Sequence, residues 1–181
     1  MIQFYKLNAK NSGGGCSFYY NERDDSFFAE LLKQATWDAA KRRGTCDKDK
    51  KITIKLSPQE IADMIYAIES SGSSKGYHKS TKVTTFSFNF SEKNDKSGFW
   101  FSAAQSPVDD STQKTEISIP FFANEAFLLK MHLKHLLNQS FVAKDSAWKE
   151  KQIQNYNKNK NNYKQEPQAQ QAAVAEEEDP W

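Results

Sequence analysis

Lys51-Ile52-Thr53-Ile54-Lys55-Leu56-Ser57-Pro58-Gln59-Glu60-Ile61-Ala62-Asp63-Met64-Ile65-Tyr66-Ala67-Ile68-Glu69 holds the transition that decides the fold. Ile52, Ile54 and Leu56 alternate with Thr53 and Lys55, the period of a half-buried strand. Ser57 then offers a side-chain oxygen to the first free N–H groups of a helix. Pro58 suits the first helical position, and Glu60 completes a capping box. Ile61, Met64, Ile65 and Ile68 fall on one helical face. The same order recurs downstream. Ile117, Ile119 and Phe121 alternate in Thr115–Phe121, and a helix is expected to follow, with Asn124 as N-cap and Phe127, Leu128, Met131, Leu133, Leu136 and Leu137 as its apolar positions.

The duplication extends upstream. Ser17–Glu22, a turn signal at Arg23–Ser26 and Phe27–Trp37 precede the first unit. Thr85–Phe90, a turn signal at Glu92–Gly98 and Phe99–Gln105 precede the second. Each reads as an aromatic hairpin. Phe27–Trp37 also contains good helix formers, but its counterpart is a strand and a turn precedes it, so strand is the consistent reading. On the strand, Phe28 and Leu32 are expected to face inward, with Phe27, Lys33, Ala35 and Trp37 outward. Ser70–Lys75 reads as a flexible linker and Gly13–Gly15 as a mobile hairpin loop. The fold class is α+β: strands then a helix, twice, over residues 1–70 and 75–140 of a domain spanning 1–141.

The chain has 181 residues and a formal net charge of +2, which by itself names no partner. The average conceals a division into a mildly basic body at 1–140, a stretch at 141–165 with six lysines and two acids, and a segment from 166 with five acids and no base. From Val142 the apolar pattern fades into Asn/Lys/Gln-rich sequence, too poor in apolar surface to offset the entropy of ordering, so 142–181 is expected to be largely disordered. No apolar run approaches the ~18 residues of a membrane span. The N-terminus lacks a secretory layout, and Cys16 and Cys46 read as free thiols of a reducing compartment.

Signals for catalysis are weak. His132 and His135 share a helix at i, i+3, but no carboxylate or cysteine stands at ligand spacing beside them, and His78 is alone. No phosphate loop follows Gly13-Gly14-Gly15. Asp24-Asp25 and Asp109-Asp110 lie in turns, where Asp is common for backbone reasons. No metal or cofactor is expected and the chain reads as a non-enzyme, a nuclease with scattered carboxylates being the competing enzymatic reading.

The positive signal is a set of strands that mix aromatic and basic side chains. With Ile52, Ile54 and Leu56 facing the helices, Lys51, Thr53 and Lys55 point outward. Exposed rings stack bases, and interleaved lysines neutralise phosphates without reading sequence. A single such aromatic is ordinarily a core residue; the whole pattern points to nucleic acid. The candidate binding residues are Phe18, Tyr20, Lys33, Trp37, Lys41, Arg42, Arg43, Lys51 and Lys55, with Lys82 and Trp100 from the second half. The chain ends Glu176-Glu177-Glu178-Asp179-Pro180-Trp181: acids, a conformation-limiting proline and a terminal aromatic, the make-up of a docking peptide for a basic-rimmed pocket.

The duplicated arrangement resembles the Whirly family and the related transcriptional coactivator positive cofactor four. Lys50–Ser57 is loosely similar to the Lys-Gly-Lys-Ala-Ala-Leu-Ser motif of plant Whirly proteins, keeping the lysines and the Leu-Ser end but not the Gly or the Ala pair. The resemblance covers about 1–140. It implies four strands per unit (ββββα twice), curved sheets that grip single strands, and helices packed behind. The tip is similar to that of bacterial single-stranded DNA-binding proteins, which ends Asp-Asp-Asp-Ile-Pro-Phe and recruits replication and repair proteins. Together these imply a cytoplasmic bacterial or phage protein, at the nucleoid or in the infected host, whose partners are single-stranded DNA and, through the tip, replication, recombination or repair proteins. Homo-oligomers are left open. RNA binding or transcription regulation on the same fold, and a protein-interaction adaptor whose aromatics are all core, are the alternatives.

Overall fold

In a computed structural model of the protein, residues 1–93, 96–110 and 112–175 are described, with side chains through Lys160 apart from those of Lys93 and Lys96. Residues Met1–Ser140 form one compact unit. Strands β1 (Ile2–Lys6), β2 (Gly14–Asn21), β3 (Ser26–Asp38) and β4 (Arg43–Leu56) make an antiparallel sheet in chain order, followed by α1 (Pro58–Ser70). Strands β5 (Ser73–Lys79), β6 (Lys82–Lys93), β7 (Lys96–Pro107) and β8 (Thr115–Phe122) repeat it, followed by α2 from Ala123. The fold is ββββα twice, as the repeat predicts.

Two segments differ from expectation. Ser70–Lys75 is not a linker: only Ser71 and Gly72 separate α1 from β5, because Ser71 reverses the chain in the left-handed region, φ 50°. Gly14 and Gly15 are buried members of β2, not a mobile loop. A Cβ on Gly14 would lie 2.5 Å from the Leu32 carbonyl oxygen and 2.8 Å from Ile119 Cδ1, so glycine is what lets the two sheets approach here.

The core lies between the sheets. Phe4 meets Phe121 edge-on at 4.9 Å and Phe18 meets Phe101 at 5.4 Å. The inner stripes are Phe27, Ala29 and Leu31 on β3, Ile52, Ile54 and Leu56 on β4, Phe99, Phe101 and Ala103 on β7, and Ile117, Ile119 and Phe121 on β8. The sheets thus cover each other as well as being covered by the helices, and the β3 register is the opposite of that expected: Phe27 is inward and Phe28 outward. In α2 the buried positions are Ala126, Leu129, Leu133, Leu136 and Ser140, while Phe127, Leu128 and Met131 are more than half exposed.

Each helix packs on the sheet of the other repeat. Helix α1 contacts β5 and β6. Helix α2 reaches the first sheet through Lys6 with Glu125, through His132, and through Ser140, whose hydroxyl donates to Asp25. The two helix starts are built alike. Glu60 Oε2 accepts from Ser57 N at 2.8 Å while its Oε1 meets His78 Nε2 of β5 at 2.8 Å. Glu125 Oε2 accepts from Phe122 N at 2.9 Å while its Oε1 meets Lys6 of β1. One carboxylate therefore caps its own helix and ties it to the opposite sheet. The second helix starts at Ala123, so Asn124 lies within its first turn rather than at the cap.

Burial raises the Glu60 pKa, but hydrogen bonds from Ser57 and His78 outweigh it and hold the carboxyl below its ordinary 4.5. The Glu60 contribution is therefore complete above pH 4.5 and is lost as pH falls through the lower folded value. Glu60→Ala is expected to cost about 1–2 kcal/mol at neutral pH, and less at pH 4, read as a shifted urea midpoint.

Phe141–Trp181 form the second unit. The helix α2 continues to Ala175. Residues 141–160 are all exposed, so the sparse apolar content is reflected in the absence of burial. The tip, Glu176–Trp181, lies outside the described residues.

Candidate nucleic-acid interface

With both inner faces occupied, each sheet keeps an outer face. Cross-strand register sets the rows of the first: Gln3, Ser17, Glu30 and Thr53; on one side Tyr19, Phe28 and Lys55; on the other Tyr5, Gly15, Leu32 and Lys51. Tyr19 and Phe28 are half-buried and stack on each other at 5.3 Å with planes 24° apart. Tyr5 is 55% exposed. Glu30 organises the centre: its Oε1 accepts from Lys51 Nζ at 3.0 Å and from Tyr19 Oη at 3.3 Å. Partial burial and the Glu30 carboxylate push the Tyr19 phenol above its ordinary range, so it stays a donor. The face therefore combines aromatic rings, hydroxyls, the central Glu30 carboxylate with Lys51 paired to it, and the ammonium group of Lys55.

Strands β3 and β4 run on past this face as a hairpin carrying Trp37, half-buried, and Lys41, Arg42 and Arg43, exposed at its turn. The turn is closed by Asp38 Oδ1, which accepts from Ala40 N and Lys41 N, and by Arg42 at φ 49°. The base of the hairpin is held by Gln34, which is buried. Its Nε2 donates to Asn8 O at 2.8 Å and Thr36 O at 3.1 Å, and its Oε1 accepts from Asn8 N at 2.9 Å and Gly13 N at 3.2 Å. A register shift in the β3–β4 pairing between Gln34 and Thr36 admits this arrangement.

The sequence-derived residues do not form one site. Lys51 and Lys55 share the first outer face, and Trp37, Lys41, Arg42 and Arg43 lie on the hairpin continuing from it. Lys33 follows Leu31 on the inward stripe and emerges into solvent where the core ends. Phe18 is 0% exposed and packs on Phe101, so it presents no ring to a ligand. Tyr20 faces the same way, packs on Phe27 and donates to Asp25 at 2.8 Å. Trp100 is 46% exposed on the outer face of the second sheet, and Lys82 stands at the start of β6 against Gln105. Tyr5, Tyr19 and Phe28 are not among the sequence-derived residues. The available signal was charge: Phe28-x-Glu30-x-Leu32 contains an acid and Phe27-x-Ala29-x-Leu31 does not, which marks the wet side of β3.

His132 donates to the Phe18 carbonyl at 3.1 Å, and burial holds its pKa below the ordinary value, so it is a packed, neutral ring. Among the described residues no group of three or more His, Cys, Asp or Glu could hold a metal, and no helix is long and apolar enough to cross a membrane.

Comparison with solved structures agrees on architecture. The chain superposes on WHY3 from Arabidopsis thaliana with a TM-score of 0.57 at 11% identity, over 81% of this chain and 92% of that one. It superposes on WHY1 from Arabidopsis thaliana with a TM-score of 0.57 at 14% identity, over 81% of this chain and 90% of that one. Both are Whirly proteins, and the fold is Whirly-like. No family profile matches the sequence, and no curated protein matches it significantly.

Proposed function

We propose that this chain is a non-enzymatic single-stranded DNA-binding protein. The strand lies on the outer face of β1–β4, bases extending the Tyr19–Phe28 stack and phosphates meeting Lys51, Lys55 and the Lys41-Arg42-Arg43 turn. Recognition is largely independent of sequence, because rings and ammonium groups read no base edges. The acidic tip Glu176–Trp181 recruits replication, recombination or repair proteins of a bacterium or a phage-infected cell. The observation that carries the reading is the outer sheet face on which the stacked rings of Tyr19 and Phe28 lie in one row with Lys55, beside Lys51 on the same edge strand, and which runs into a basic hairpin. The Whirly-like fold supports it, single-strand binding being what the resemblance implies.

The hairpin gives a quantitative test. Each phosphate contact on a single strand contributes about 0.7 to the slope of log affinity against log salt. Lys41→Gln/Arg42→Gln/Arg43→Gln should lower that slope by about 2 for a dT oligonucleotide, measured by anisotropy at several salt concentrations. An unchanged slope would remove the hairpin from the binding surface. Equal affinity for a matched RNA oligonucleotide would assign the site to single strands of either sugar.

A further inference from the structure

The outer face of the second sheet takes no part in the site above, yet it repeats its design. Register aligns Lys75, Ser87, Ser102 and Ser118 in one row across all four strands. Flanking rows are Ser73, Asn89, Trp100 and Pro120 on one side, and Tyr77, Thr85, Ala104 and Glu116 on the other. The small side chains of the middle leave a shallow trough of about 380 Å³, lined among others by Lys75, Ser87, Ser102 and Lys114. Ser87 and Ser102 present hydroxyls to it, and Ser102 Oγ shares a hydrogen bond of 2.6 Å with Ser118 Oγ of the same row. Trp100 and Tyr77 lie in the rows on either side of the serine row, 46% and 61% exposed. Lys75 and Lys79 project from β5 on the same face, and Lys114 pairs with Glu116 at 3.1 Å.

The correspondence with the first face is one of parts. A hydroxyl-bearing row through Ser17 and Thr53 lies between Tyr19 and Phe28 on one side and Tyr5 on the other, with lysines on the edge strand β4. On the second sheet a hydroxyl-bearing row lies between Trp100 and Tyr77, with lysines on the edge strand β5. Because the sheets pack inner face to inner face, the two outer faces point away from each other. A short segment on one does not touch the other.

We propose that the chain binds single-stranded nucleic acid on both outer faces and so bridges two strand segments. The proposal rests on the first face being a nucleic-acid surface. Aromatic flanks supply stacking, the trough admits an extended backbone, and the excess of lysine over carboxylate on this face matches phosphate. Two segments held by one chain are kept at a high effective concentration relative to each other. Bringing single strands together is therefore an activity separate from covering them.

The test is a two-strand capture. The full chain is loaded on an immobilised dT oligonucleotide, and a fluorescent dT oligonucleotide, unable to pair with it, is added and washed. The native chain is expected to retain the second strand. Trp100→Ala/Tyr77→Ala, two substitutions at exposed positions, is expected to lower that retention at least tenfold while leaving capture of the protein by the first strand within about twofold. Sedimentation of both proteins checks that they have the same mass, so that the loss is not one of assembly. Capture of the protein without any second strand overturns bridging and leaves the first face standing. So does retention undiminished by the double variant. Failure of the protein to bind the first strand overturns both readings.

Discussion

Phe18→Ala is expected to cost about 3–5 kcal/mol of stability, the range for truncating a fully buried phenylalanine. Phe18 is 0% exposed and stands between the sheets against Phe101, where few neighbours can collapse into the space left behind. A loss of this size is a large share of the ~5–15 kcal/mol that holds an ordinary domain together. Phe18→Leu retains most of the volume and should cost well under half as much. Urea titration gives the stabilities, and oligonucleotide binding below the unfolding transition gives the second readout. The leucine variant should bind like the native chain, since Phe18 offers no surface to a strand. A leucine variant that folds normally but binds tenfold more weakly would return Phe18 to the binding surface.

Tyr19→Ala/Phe28→Ala is expected to have the opposite profile, with affinity lowered about tenfold to a hundredfold. Stacking of a base on an aromatic ring is worth about 1–3 kcal/mol. The two rings, 5.3 Å apart and nearly parallel, form one platform rather than two independent ones, which keeps the expected loss below the sum. Both rings are half-buried on the outer face, and their truncation opens no cavity between the sheets. The stability change should stay near 1–2 kcal/mol, mostly the lost ring pair and the Tyr19–Glu30 hydrogen bond. Together the two experiments separate the faces of adjacent residues: position 18 governs folding and position 19 governs binding.

That separation marks where the sequence was legible. Alternation in Ile52/Ile54/Leu56 and Ile117/Ile119/Phe121, followed by helix starts, is enough to give the duplicated unit, because each strand has one wholly apolar stripe and one polar stripe. β2 and β3 are harder. Phe18, Tyr19 and Tyr20 are aromatic in succession, as are Phe27 and Phe28, so hydrophobicity alone leaves the register undecided. Glu30 decides it on β3, and pairing carries the decision to β2. The linker reading of Ser70–Lys75 fails for another reason. Small polar residues suit both a flexible segment and a strand whose outer face is open to water, and only pairing with β6 distinguishes them.

The site was legible in its chemistry and not in its placement. Aromatic and basic residues stand out in the sequence, but strand parity and the packing of two sheets decide which of them share a surface. Trp100 and Lys51, one from the aromatic and one from the basic half of the same pattern, belong to faces that point in opposite directions. Gln34 carries no sequence signal at all. Its role comes from the register shift beside it and the Asn8–Gly13 loop folded over it.

The most direct measurement is a tryptophan-fluorescence titration of the full chain with poly-dT and with duplex DNA of equal length, at low and moderate salt. The account predicts saturable quenching by the single strand, weaker at the higher salt, with the duplex bound at least tenfold more weakly because its bases are not free to stack. No binding of the single strand at low salt, or a duplex bound as well as the single strand, would contradict it.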